Sequence, residues 1–126
     1  MKRIACGSAA LLALVAGCGA DAPIEWPELL PDHPAIAYPV ELWDQGIEGE
    51  ALLLVRVDEE GAVDSVTVER TSGHAAFDSA AVAGARGLRF RPGRKGDEGV
   101  SLWVRLPVKF TRAGGAEFGE AEEGGP

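Results

Sequence analysis

Histidine and cysteine are scarce, with two of each in 126 residues: His33, His74, Cys6 and Cys18. Structural and catalytic metal centres draw about four ligands from such side chains and from carboxylates, so the sequence predicts no metal site, and it predicts no cofactor. A glycine-x-serine-x-glycine elbow, the local mark of many serine hydrolases, is missing as well. Basic residues are nearly absent from the first half: residues 21–69 hold thirteen acidic side chains and one basic one, Arg56. With a formal charge of -8, the chain lacks the lysine and arginine excess that nucleic-acid phosphates require, so no nucleic-acid partner is expected. No apolar run attains the roughly 20 residues of a comfortable membrane helix.

What is present begins with "MKRIACGSAALLALVAGCGA". Lys2 and Arg3, an apolar stretch and small residues around Cys18 have the layout of a secretory signal. Its end, "LVAGC", resembles the lipobox of bacterial lipoproteins, which implies cleavage after residue 17 and acylation of the Cys18 thiol. The plainer reading is an ordinary secretory signal or an uncleaved anchor. Removal of residues 1–17 would take Cys6 away and leave no thiol for a disulfide, a metal or catalysis. It would also move the formal charge from -8 to -10, because Lys2 and Arg3 leave while every acidic residue stays.

Residues 18–34 include "APIEWPELLPDHP", whose prolines suit a semi-rigid extended tether of about 50 Å at roughly 3 Å per residue. At the other end, "AGGAEFGEAEEGGP" (residues 113–126) has a single aromatic, Phe118. It reads as a disordered acidic tail, since it cannot bury enough apolar surface to offset its ordering entropy. Between them, residues 35–112 suffice for one small domain. Its last part is basic: residues 86–112 carry eight basic and two acidic side chains.

Inside that domain "EALLLVRVD" (residues 50–58) places Leu53, Val55 and Val57 on one face and reads as a central strand. "DEEG" supplies an acidic turn ending in Gly61, the residue a short hairpin wants at its left-handed position. "AVDSVTVER" then alternates as the partner strand. After "TSG" the period changes to that of a helix, with Phe77, Ala81, Gly84 and Leu88 on one stripe over residues 75–87. "VSLWVRLPVKF" (residues 100–110) alternates most clearly, with Leu102, Val104, Leu106, Val108 and Phe110 opposite Trp103, Arg105, Pro107 and Lys109. Pro107 lacks an amide hydrogen, which confines this strand to a sheet edge or a bulge. The expected fold class is α+β: a small ββαβ domain with a three-stranded antiparallel or mixed sheet in the order second, first, third, and one helix packed on one face.

"SGHAAFD" (residues 72–78) puts Ser72, His74 and Asp78 close together in sequence, the residue types of a hydrolytic triad. Its context favours a turn: Ser72, Gly73 and His74 lead into the helix, Phe77 anchors it, and Asp78 sits in its first turn, where a carboxylate suits the helix dipole. With no second histidine nearby in sequence, the chain is not expected to be an enzyme.

Taken together, "YP" at Tyr38 and Pro39, "GIEGE" with Gly46 and Gly49, the hairpin around Gly61, "SGHAAFD" with Gly73 and Phe77, "RFRP" with Phe90 and Pro92, and "VRLPVKF" resemble the TonB C-terminal domain. That domain is the periplasmic end of energy transducers that power outer-membrane transporters. Many relatives have proline where Ala75 stands, a difference that touches only the helix start. The resemblance implies that the open edge of the last strand accepts an extended peptide from a transporter by strand addition. In this sequence the candidates are Val100, Leu102, Trp103, Val104, Arg105, Leu106 and Lys109. Arg105 and Lys109 would draw in an acidic peptide and Trp103 would supply contact area. The same side chains, with Pro107, equally serve to blunt an aggregation-prone edge.

Force-transmitting members of that family carry an N-terminal membrane helix and a long proline-rich rod, and neither is legible here. The expectation is therefore a periplasmic, lipid-anchored binding module that partners an outer-membrane transporter or another envelope protein. Gly19, in place of an aspartate, favours the outer membrane over the inner. The alternative is a structural envelope lipoprotein that pairs with itself through the same edge to form a homodimer or scaffold.

Overall fold

A computed structural model describes residues 22–124; the expected signal segment and Cys18 lie outside the described residues. In chain order the elements are β1 (Ile24–Glu25), β2 (Glu28–Leu29), α1 (Val40–Asp44), β3 (Gly49–Val57), β4 (Val63–Arg70), α2 (Ala75–Arg86), β5 (Phe90–Arg91), β6 (Gly93–Lys95), β7 (Glu98–Val100), β8 (Leu102–Thr111), β9 (Gly115–Phe118) and β10 (Glu122–Glu123).

The period-two pattern of β3 buries Ala51, Leu53, Val55 and Val57 completely, while the residues between them stay partly exposed. That buried row is matched across the strands: Leu53 faces Val68 of β4 on one side and Leu106 of β8 on the other. Both pairings are antiparallel, so β4 and β8 flank β3 and run parallel to each other. The crossover between them is α2, which turns Phe77, Ala81 and Ala85 onto the same row. Phe77 stacks on Phe110 with ring centroids 4.3 Å apart. A side chain at residue 49 would meet the Phe77 ring at 3.0 Å, so glycine there lets helix and sheet close together.

The hairpin turn is organised by Asp58, whose Oδ1 accepts from the amides of Glu60 at 2.9 Å and Ala62 at 3.0 Å. The turn into α2 is organised by Asp78. Its carboxylate accepts from the Ser72 amide at 2.9 Å, the Ser72 hydroxyl at 2.8 Å and the Thr71 hydroxyl. Burial opposes ionisation of Asp78, but these hydrogen bonds outweigh it and hold the carboxyl below its ordinary range. A carboxylate whose folded pKa is depressed adds stability above its unfolded pKa of about 3.9 and loses it as pH falls through the folded value. Asp78→Asn should therefore cost about 1–2 kcal/mol near neutral pH. In urea unfolding series the gap to the parent should narrow as pH falls below the unfolded value of about 3.9 and through the lower folded one; a gap independent of pH would place the effect elsewhere.

The α+β class holds, and the strand order second, first, third holds at the centre, but the expected ββαβ domain of one three-stranded sheet and one helix does not: the described residues form ten strands in three sheets and a second, short helix, α1. β9 and β10 extend the central sheet beyond β8, giving five strands. Residues 115–123, expected to be disordered, thus lie against β8. The physical reason is that a tail need not bury much of itself when a tight hairpin returns it to an edge with open hydrogen-bonding groups. Thr111 Oγ1 accepts from the Gly114 amide at 2.9 Å and Gly115 takes φ +76°, which closes that turn.

The tether expectation also changes for its described part. β1 pairs with β6 and β2 with β5, β6 pairs in turn with β7, and Trp26 and Leu29 pack on the core. These strands are two residues long, too short to leave a period, and their partners lie more than sixty positions away in sequence. An exposed ion pair, Arg91 Nη1 to Glu28 Oε1 at 2.8 Å, lies beside the β2 and β5 pairing.

Candidate partner-docking edge

Strand addition needs an edge, and in the ββαβ unit of β3, β4, α2 and β8 the two edges belong to β4 and β8. The seven residues expected to meet a partner do not all share the β8 edge. Val100 belongs to β7 and pairs with Gly93. Val104 and Leu106 point into the core and are buried, so a partner could meet only their backbone. Leu102 is partly buried on that same face. Trp103, Arg105 and Lys109 project from the opposite face, with Arg56, Leu54 and Glu50 of β3 beside them.

Arg105 is already engaged. Its Nε donates to Glu69 of β4 at 2.9 and 3.2 Å, and its Nη1 donates to the Glu123 carbonyl at 3.3 Å. The carboxylate of Glu69 raises the guanidinium pKa above its usual value by hydrogen bonding and by charge. Lys109 is exposed and stands between Glu50 and Glu117 in register. The outer edge of β8 is filled: β9 covers residues 108–111 and β10 covers residues 104–105. That covering was not anticipated, although "RAGGAEF" contains its signal, a glycine turn followed by a short alternation.

The remaining motif residues build the scaffold. Tyr38 donates its hydroxyl to the Ile47 carbonyl and sets its ring edge-on to Trp43, Phe77 and Phe110 at 4.9, 5.5 and 5.6 Å. Pro39 precedes α1, and the Pro39 carbonyl accepts from the amides of Leu42 and Trp43. Gly46, Gly61 and Gly73 hold φ of +71°, +91° and +91°, a region that side chains other than glycine rarely adopt. Phe90 is buried and donates its amide to the Gly61 carbonyl at 2.8 Å, and Pro92 packs at the same turn.

Nothing in the turn at Ser72 resembles a nucleophile and its base. The Ser72 hydroxyl points at the Asp78 carboxylate, and the His74 ring lies edge-on to Phe77 at 5.5 Å. Among the described residues, no polar or charged side chain is buried and no three metal-ligating side chains converge. What the surface offers is backbone geometry and charge, suited to holding an extended chain.

A family model described as Gram-negative bacterial TonB protein C-terminal matches residues 34–111. Protein tonB2 of Pseudomonas aeruginosa is 36% identical over 78 residues, which is 62% of this chain and 29% of that protein. Protein TonB from each of two strains of Xanthomonas campestris pv. campestris is 36% identical over 74 residues, 59% of this chain and 33% of the relative. The chain thus spans a third or less of the length of these relatives. The matched region begins just before the Tyr38 and Pro39 motif and ends with β8, which places the hairpin, the helix and β8 inside it: the chain belongs to the Gram-negative bacterial TonB protein C-terminal family.

Proposed function

We propose that this chain is a TonB-like protein-binding module of the periplasm. It docks an extended peptide of an outer-membrane transporter, or of another envelope partner, by strand addition to β8, and so serves TonB-dependent transport. One observation carries this reading. Within the family region, which ends at residue 111, β8 is the outermost strand of the central sheet, and its outer side pairs through its backbone with strands from beyond that region, β9 and β10. Main-chain groups of an edge bind an incoming strand with little regard to sequence, and flanking side chains select it. Lys109, exposed on the face that also carries Arg105, favours an acidic one.

The module is held to a membrane by lipid on Cys18, with the outer membrane as the favoured site. No helix among the described residues is long and apolar enough to cross a membrane. Because β1 starts at Ile24, residues 19–23 extend to at most about 17 Å, well short of the reach expected from a free tether. The domain would work close to the surface that anchors it, beside the periplasmic mouths of outer-membrane transporters. Metabolic labelling with an alkyne fatty acid checks the anchor: labelling should vanish in Cys18→Ser, and a label that persists would discard it.

Docking is tested by titrating the amide-labelled chain from residue 18 on, carrying Cys18→Ser, with peptides copied from the periplasmic N-termini of the host's transporters. Saturable shifts centred on the amides of β8 and its covering strands are expected. Shifts confined to other elements, or none at all, would sink the reading.

A further inference from the structure

We propose that residues 115–123 are an internal occupant of the docking edge, and that they state the chemistry of its partner. That partner is an acidic extended segment antiparallel to β8, with an aromatic residue in the seat of Phe118, a glycine opposite Pro107 and carboxylates beside Lys109 and Arg105. This deepens the docking reading and rests on it.

The tail lies outside the family region, which ends at residue 111, yet it follows β8 closely. Phe118 faces Val108, and Glu122 faces Arg105. The tail therefore takes four steps where β8 takes three, a bulge of one residue between the Val108 and Arg105 pairings, in the stretch that includes Pro107. The Pro107 carbonyl accepts from the Gly119 amide at 2.8 Å. In a strand the N and the carbonyl of one residue point the same way, so the donor that Pro107 lacks is missing on this edge, and the bulge is what accommodates the gap. Glycine is required at the crossing, because a Cβ on residue 119 would lie 2.9 Å from the Pro107 ring. Gly124 is pressed as closely, its amide 3.0 Å from the Trp103 carbonyl.

The two faces of the tail read differently. Toward α2, Ala116, Phe118 and Ala121 pack on the core. The Phe118 ring sits over Gly84, where an added Cβ would meet it at 3.4 Å and Ile36 at 3.3 Å, and His33 lies edge-on to it at 5.4 Å. A glycine inside a helix weakens the helix, and here it leaves room for the aromatic seat. On the other face Glu117 stands opposite Lys109 and Glu122 opposite Arg105. Neither tail strand has a fully buried residue, and exposed cross-strand charge pairs hold weakly. The tail is thus fastened mainly by being on the same chain, which gives it a local concentration of about a millimolar or more against any outside strand.

The probe is a synthetic peptide of residues 113–126, with a scrambled control. It is titrated by calorimetry and amide shifts into the Cys18→Ser chain from residue 18, either intact or ending at residue 112. The shortened chain should bind the peptide at least tenfold more tightly than the intact chain, with shifts along β8. Replacing Phe118 by alanine or Gly119 by valine in the peptide should abolish binding. Equal affinity for both chains, or for peptide and scramble, overturns the proposal. If the shortened chain does not fold, Gly119→Val in the intact chain should loosen the tail instead and raise affinity for the peptide; an unchanged affinity overturns the proposal. Transporter peptides separate the two readings. If they bind intact and shortened chains alike on β8, docking stands and the internal occupant is overturned. If only the tail peptide binds, the internal occupant stands and docking to transporters falls.

Discussion

Phe110→Ala should remove about 3–5 kcal/mol of stability, the usual cost of emptying a phenylalanine site in a packed core. A domain of this size is held by about 5–10 kcal/mol in total, so the variant should be near its unfolding midpoint in mild urea. The site leaves no route for cheap collapse. Phe110 has no exposed surface, stacks on Phe77 at 4.3 Å and receives the Tyr38 ring edge at 5.6 Å. It also faces Gly49, at the end of the β3 and β8 ladder, and Gly49 has no side chain to swing inward. Urea unfolding followed by tryptophan fluorescence measures the change. A loss below about 1.5 kcal/mol, the range of a tolerated hydrophobic swap, would mean that the aromatic cluster is not what joins helix to sheet. Phe110→Leu, which refills most of the volume, should lose no more than about 1.5 kcal/mol.

Gly61→Val is the second large effect, at about 2–4 kcal/mol, from a forbidden backbone conformation combined with a lost hydrogen bond. Gly61 holds φ +91°, and a Cβ there would lie 2.1 Å from the Phe90 carbonyl oxygen. That oxygen belongs to backbone and cannot swing aside as a flexible side chain would. The amide of Phe90 donates to the Gly61 carbonyl at 2.8 Å, so pushing the turn away also frees a buried phenylalanine from its alignment. Gly73→Ala separates strain from collision. Gly73 has the same φ of +91° but nothing within 4 Å of its would-be Cβ, so it should cost only about 1 kcal/mol. Amide hydrogen exchange locates the damage: Phe90 and Leu30, whose amide bonds the Arg89 carbonyl, should lose protection in Gly61→Val and keep it in Gly73→Ala. Equal losses in the two variants would mean that the collision with Phe90 does not matter.

These two sites also mark how much could be read without coordinates. Leu53, Val55 and Val57, and Val104, Leu106, Val108 and Phe110, alternate strictly because each strand has one buried face, and alternation is visible in a linear text. Phe77 and Ala81 recur at helical spacing for the same reason. The aspartates were legible as residue types rather than as partners. Asp78 reads as a first-turn acid, but its three hydrogen bonds to Thr71 and Ser72 need the turn geometry to exist. The Phe90 carbonyl above Gly61 is twenty-nine positions away in sequence, and no local pattern announces it.

The outer side of β8, the edge proposed for docking, was legible only in part. Pro107 predicts a sheet edge or a bulge for its strand, because a missing donor is a covalent fact, but β8 is paired on both sides. The occupant of the outer side was read as disordered because "AEFGEAEEGG" is poor in apolar residues, a rule about chains that must bury themselves. A strand that borrows an existing edge escapes the rule. In the same way, residues 24–29 read as part of a tether, yet the loop between α2 and β8 pairs with the strands on either side of Trp26, and Trp26 and Leu29 pack on the core.

By itself the sequence determined the α+β class, the hairpin and the helix, because each depends on periodicity or on a turn residue local to the chain; the order of the three central strands followed from the handedness of the crossover, and the TonB-like character of residues 38–110 from the resemblance of its motifs. Tertiary structure alone decided which edges remain open, whom Arg105 serves, and that residues 22–34 and 115–123 belong to the folded body. Those outcomes depend on hydrogen-bonding groups and apolar seats contributed by residues far apart in sequence, whose meeting no single segment encodes.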